Sequence, residues 1–245
     1  MSHMLSRNEV TEVTLSDLYW KAKDAYDDLW TMANERDRHV KLYLHWTAGR
    51  YHQFWDDYHV QIDNDGKIYM PDGTSLSDIL SGTWRRNTAG ISISILGCFD
   101  ATTGNGLGSN PPTAAALESL YQVVTVLADA LDLTIDINHV MTHGEAGDNE
   151  DGWEAHEEYG PKTTCERWDL EYLGTDESPE FNPWNEGCRG GDIIRGKANW
   201  YRSYYEQKVY EYFNNSQDQT KRNKAIIMDS ENNFIMRKLN FTKNF

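Results

Sequence analysis

Three candidate metal ligands that lie far apart in the chain, His45, His143 and Cys165, constrain its fold most. Two imidazoles and one thiolate fill three corners of a zinc tetrahedron and leave the fourth for water. That is the ligand count of a catalytic site rather than a closed structural one. For the three to meet, the elements that carry them must end at one place. His45 closes an apolar run, Val40, Leu42 and Leu44, that alternates like a half-buried strand. His143 follows a second candidate strand from Ile135 to Met141, and Cys165 lies in a polar stretch before Trp168-Asp169-Leu170. Ligands at two strand ends and on one loop can converge on a cleft, whereas ligands within one helix would show regular spacing. The separations are too long to be diagnostic by themselves.

The remaining pattern alternates helices and strands. Residues 15–36 read as an amphipathic helix, with Leu18, Ala22, Ala25, Leu29 and Ala33 repeating at three and four. Strands are predicted near 39–45, 57–63 and 67–70, the last two joined by a hairpin signal at Asn64-Asp65-Gly66. A short helix is predicted at 74–82, and a buried strand at 90–97 through Ile91, Ile93 and Ile95. The Gly-, Asn-, Thr- and Pro-rich stretch 100–111 reads as a loop near the site. A helix over 113–131 starts after Pro112, and a strand near 135–142 follows. The pattern predicts an α/β fold, a central mixed sheet flanked by helices, with a partly helical C-terminal extension.

Charge and composition narrow the function classes. The net charge of −16 argues against nucleic acid as a partner. It is concentrated in residues 1–175, while 176–245 is close to balanced. No apolar run is long enough to span a membrane. Three cysteines, Cys98, Cys165 and Cys188, are too few and scattered for a disulfide framework. Met1-Ser2-His3-Met4 reads as an expression scar rather than a signal peptide, which predicts synthesis in the cytoplasm. The aromatic segment around Trp200, Tyr201, Tyr204, Tyr205, Tyr210, Tyr212 and Phe213 reads as a helix packed on its own domain, with sugar stacking as the second reading. A small hairpin is predicted around Asp229 to Asn233.

Several motifs occur in a telling order. His45-Trp46-Thr47-Ala48 ends one strand, and Tyr58-His59-Val60 precedes the turn Asn64-Asp65-Gly66-Lys67-Ile68. Asn87-Thr88-Ala89-Gly90-Ile91 opens another strand, and Pro112-Thr113 opens the long helix. Thr142-His143-Gly144-Glu145 follows, then Cys165 with Trp168-Asp169. From about Val40 to Leu173 the chain thereby resembles the zinc-dependent type 2 N-acetylmuramoyl-L-alanine amidases, the superfamily that includes bacteriophage amidase lysozymes and peptidoglycan recognition proteins.

The resemblance implies a Zn2+ cofactor held by His45, His143 and Cys165, with Tyr58 beside the metal as a proton donor. It places Lys162 or Thr163 near the third ligand and leaves open which of them faces the metal. It also implies peptidoglycan as substrate, cut between N-acetylmuramic acid and L-alanine after release or delivery to the cell wall by phage lysis machinery or a virion. A peptidoglycan-binding module that does not cut is the alternative. The implied organisation is an N-terminal scar and helix (1–38), a zinc amidase domain (39–175) and a C-terminal extension of unknown role (176–245). His139 and His156 are competing ligands, and Glu145 is a competing general base. The acidic stretch 145–160 departs from the family's spacing. It reads as a solvated surface insertion, or else as a lip over the cleft.

Overall fold

The computed structural model describes residues 3–153, 157–185, 187–215, 226–228 and 234–236. In chain order the strands are β1 (Met4–Leu5), β2 (Val10–Val13), β3 (Lys41–Trp46), β4 (Phe54–Trp55), β5 (Val60–Ile62), β6 (Ile68–Pro71), β7 (Gly90–Ile95), β8 (Val140–Thr142), β9 (Ile226–Met228) and β10 (Phe234–Met236). The α-helices are α1 (Leu15–Asp24), α2 (Tyr26–Asn34), α3 (Ala114–Ala130), α4 (His143–Gly147) and α5 (Gly190–Asn215). Six strands form one mixed sheet in the order β2-β6-β5-β7-β3-β8. β3 runs parallel to both neighbours, and β5 runs parallel to β7. β6 turns back antiparallel to β5 through the predicted Asn64-Asp65-Gly66 turn, and β2 pairs antiparallel on its far side.

Strands inside a parallel region are covered on both faces, and every residue of β3 and β7 is buried. Alternation then gives the two faces of β3 different work. Leu42, Leu44 and Trp46 enter the main hydrophobic core together with residues of α1 and α3. Lys41, Tyr43 and His45 point the other way, where Tyr43 packs on Met141 and Ala146. The site therefore lies on the face away from the main core.

The helices begin where local chemistry starts them. Thr14 and Asp17 form a capping box at α1: the Asp17 N–H donates to Thr14 Oγ1 at 3.1 Å, and the Thr14 N–H donates to Asp17 Oδ2 at 2.8 Å. At α3 the Thr113 hydroxyl accepts from the Ala116 N–H at 3.1 Å. The single helix predicted over 15–36 divides at Ala25 into α1 and α2. The buried stripe Leu18, Ala22, Leu29 and Ala33 continues across the break.

Several expectations are corrected. Residues 74–82 form turns, not a helix, because side chains there bond the local backbone instead. The Ser75 N–H donates to Asp78 Oδ2 at 2.8 Å, and the Ser77 N–H donates to Ser75 Oγ at 3.2 Å. The strand expected over 135–142 shortens to β8, because the Val140 N–H closes a turn onto the Asp136 carbonyl at 2.9 Å. Met4 belongs to the fold: β1 pairs antiparallel with β4.

The first half of the acidic stretch, Glu145 to Asp151, is not a solvated insertion, whereas Glu157 and Glu158 are exposed. Glu145 and Asp148 are buried, the Asp151 side chain is shielded from solvent, and each is paired with an arginine. Arg195 of α5 donates two hydrogen bonds of 2.8 Å to Glu145. Arg189, just before α5, donates to Asp148 at 2.9 Å and to Glu150 at 2.8 Å, and also holds Glu171 through both carboxylate oxygens at 2.7 Å. Asp151 accepts from Lys41 and, at 2.8 Å, from Arg86. The chain enters α5 without side chains for a reason: a Cβ on Gly191 would lie 2.3 Å from the Glu145 oxygens.

The helix α5 packs on α3 as well. Thr125 Oγ1 donates to the Ala198 carbonyl at 2.9 Å, and the buried Tyr205 hydroxyl donates to Gln122 at 2.9 Å. Trp200 instead stays exposed and stacks on Tyr204, so the aromatic stripe divides between core and surface. β9 and β10 pair antiparallel, and the turn predicted between them lies outside the described residues, as does His156. No helix of the described residues is long and apolar enough to cross a membrane.

Candidate metal centre

Register brings the two histidines together. Leu44 of β3 sits opposite Thr142 of β8, so the next residues, His45 still within β3 and His143 at the start of α4, stand side by side. Thr142 ends the strand and caps α4: its N–H donates to Glu145 Oε2 at 2.9 Å, and its hydroxyl accepts from the Glu145 N–H at 3.2 Å. That box fixes the backbone on which His143 stands. The two Nδ1 atoms face one another at 3.1 Å, with the rings inclined at 74°.

The third donor is Asp169. Its Oδ2 lies 3.5 Å from Nδ1 of His45 and 3.5 Å from Nδ1 of His143. All three residues are buried, and their donor atoms lie within 4.8 Å of one another. Thr83 Oγ1 sits 3.3 Å from the other nitrogen of His45, which leaves Nδ1 turned inward. Burial, with His143 nearby, pushes the His45 pKa down to about 4 despite the Asp169 carboxylate, so the ring is neutral near pH 7. Burial works against ionisation of Asp169, but the two histidines hold its carboxyl well below the usual carboxylate range.

This donor set suits a zinc ion. Neutral imidazole nitrogens and an ionised carboxylate are among the usual zinc ligands. A tetrahedral ion with bonds of about 2.0–2.1 Å separates its ligands by roughly 3.3–3.4 Å. The three separations seen here, 3.1, 3.5 and 3.5 Å, bracket that value. Among the described residues, no lysine or arginine forms an ion pair with Asp169.

Cys165 does not join the group. Its backbone is left-handed (φ 57°), and its N–H closes a turn onto the Gly160 carbonyl at 2.8 Å. Burial, together with the charges of Asp148 and Glu171, pushes its thiol pKa up. The turn that follows carries Asp169 to the histidines instead. The Trp168-Asp169 pair was visible in the sequence as the end of a motif, but nothing in its pattern marked the carboxylate as a ligand. The role of Thr83 had no sequence signal at all.

The other candidates separate clearly. Tyr58 stands beside the donors, its ring centroid 5.3 Å from that of His45. Burial, with Asp169 and Asp57 nearby, pushes its pKa up, so the hydroxyl keeps its proton. Lys162 is turned away, donating to Glu150 at 2.6 Å, and Thr163 donates to the Gly160 carbonyl at 3.2 Å. Glu145 is engaged by Arg195 and by the α4 cap, which leaves it no role as a base. His139 bonds Asp136 and Thr134, both at 2.9 Å, outside the donor group.

Two of the three donors, His143 and Asp169, line a cleft of about 400 Å³. Its lining includes Trp46, Thr47, Tyr58, Gly82, Trp168 and Asp169.

A family model described as N-acetylmuramoyl-L-alanine amidase matches residues 19–165. Among solved structures, the endolysin of the Thermus scotoductus MAT2119 bacteriophage Ph2119 is similar at 18% identity and a TM-score of 0.33, over 44% of this chain and 73% of that one. The amidase LysC from Clostridium intestinale URNW is similar at 15% identity and a TM-score of 0.34, over 52% and 83%. The drosophila peptidoglycan recognition protein SD follows at 16% and 0.33, over 42% and 68%. No curated protein matches. With the family model covering more than half of its length, the chain belongs to the N-acetylmuramoyl-L-alanine amidase family.

Proposed function

We propose that the chain is a peptidoglycan hydrolase that cuts the amide between N-acetylmuramic acid and L-alanine with a zinc ion held by His45, His143 and Asp169. The convergence of those three buried donors beside a cleft carries this reading. Zinc bound there supplies a water acidified to a pKa of about 7 and a Lewis acid for the amide carbonyl. Thr83 orients His45, and Asp169 stays ionised across the neutral range. Tyr58 keeps its proton and stands at the cleft wall. There it donates to the oxygen that gains charge or to the departing amine, a contribution typically worth about 3 kcal/mol. Lys162 and Thr163 have no part in the step.

The acidic surface gives the protein little electrostatic steering toward an anionic wall, which fits delivery by phage lysis machinery or a virion rather than free diffusion. The anchoring of α5 through Arg189 and Arg195 supports reading the start of the 176–245 segment as a structural part of the amidase fold. Mass spectrometry of soluble products from purified peptidoglycan, with and without a zinc chelator, tests the function. Stem peptides with a free L-alanine amino terminus, absent under chelation, are the expected products. Intact sacculi that retain bound protein would replace this reading with the non-cutting binding module.

A further inference from the structure

The walls of the cleft carry four charged side chains: Asp57, Glu166, Arg167 and Asp169. Asp169 is taken up by the histidines, and Arg167 is the cation in the lining beside Asp57 and Glu166, neither of which forms an ion pair among the described residues. Most of the arginines around the site are neutralised inside the protein. Arg86, Arg189 and Arg195 are buried and each is ion-paired with a carboxylate. Arg167 differs: it is exposed, and its Nη1 donates at 2.8 Å to the main-chain carbonyl of its neighbour Glu166.

Geometry sets what such a group can meet. One residue, Trp168, separates Arg167 from Asp169, so their Cα atoms lie within about 7 Å. An extended peptide advances about 3.3–3.6 Å per residue. A main-chain carboxylate on the second residue of a bound stem therefore lies roughly 7 Å beyond the reacting amide. The flexible side chain of Arg167 covers that distance, and its planar fork is shaped for a carboxylate.

We propose that Arg167 recognises a free carboxylate on the second residue of the stem peptide, so that the enzyme prefers stems in which this group is not amidated. The proposal rests on the amidase reading above. Carboxamide stems lose the charge-assisted pairing but keep every other contact. The expected preference is about fivefold, the upper end for an ion pair open to water on one side. Long-range repulsion by a chain of net charge −16 opposes the anionic stem, so the pairing has to act locally.

Binding of two probes to the full chain under chelation, where no turnover occurs, tests this by calorimetry. The probes are N-acetylmuramoyl-L-alanyl-D-glutamate and its D-isoglutamine counterpart, which differ only in that carboxylate. The native protein is expected to favour the carboxylate probe about fivefold, and Arg167→Gln to bind both alike. Arg167→Glu is expected to favour the carboxamide, and Arg167→Lys to keep part of the preference. Equal binding by the native protein, or a preference that survives in Arg167→Gln, overturns the proposal while leaving the amidase reading intact. Failure of the native protein to bind either probe, while it still releases stem peptides from sacculi, overturns the proposal alone.

Discussion

The two ends of β3 carry two buried polar clusters on the same face, and they differ in one respect. At its start Lys41, with Arg86 beside it, meets Asp151. At its end His45 meets His143 and Asp169. The first cluster contains its own cations and anion, so it is electrostatically closed. The second gathers lone-pair donors with no lysine or arginine ion-paired to them among the described residues. A buried group of acceptors without a cation is costly unless an ion completes it. The comparison teaches that burial and charge alone do not mark a site; the sign that is missing does.

The difference can be broken from either end. The largest effect is expected at the open cluster. His45→Ala or His143→Ala should reduce peptide release from sacculi by more than the about 10–100-fold typical of losing an outer partner of a metal ligand. A chelator should have no further effect on either variant. At the closed cluster, Asp151→Asn leaves Lys41 and Arg86 buried without a counter-charge. Denaturant unfolding should show a loss of about 3–5 kcal/mol, while zinc uptake by the folded fraction persists. A result in which Asp151→Asn abolished zinc binding at unchanged stability would merge the two clusters into one functional unit.

Subtler changes sharpen the contrast. Thr83→Val removes the hydroxyl beside Nε2 of His45, and zinc affinity measured by competition should fall about 10–100-fold with little change in the unfolding midpoint. Acid should act on the closed cluster in a defined window. Burial opposes ionisation of Asp151, but Arg86 and Lys41 bring its pKa down from 3.8 to about 2. A carboxyl with a depressed folded pKa stabilises the protein fully above its unfolded value and loses that contribution as pH falls through the folded value. Unfolding followed from pH 4 to pH 2 should therefore show a loss of stability in the native chain that is smaller in Asp151→Asn.

Much of the scaffold was legible because it is written in local chemistry. Alternation marked β3 and β7, Asn64-Asp65-Gly66 marked the β5–β6 turn, and Pro112-Thr113 marked the start of α3. Strand patterning also placed His45 near the end of β3 and His143 just after β8. What stayed hidden depends on contacts between distant residues. The acidic stretch looked solvated because its partners, Lys41, Arg86, Arg189 and Arg195, lie far from it in the chain. Motif order pointed to Cys165, whereas the carboxylate that lies beside the two histidines is that of Asp169. Side-chain competition for the backbone likewise hid the turns at 74–82.

The identity of that third donor is where the open cluster is most exposed to test. Zinc content of the full chain, measured by elemental mass spectrometry after purification, should be about one per molecule in Cys165→Ser, as in the native protein, and close to none in Asp169→Asn. Retention of zinc by Asp169→Asn together with its loss from Cys165→Ser would contradict the His45, His143 and Asp169 centre and return the thiolate to the site.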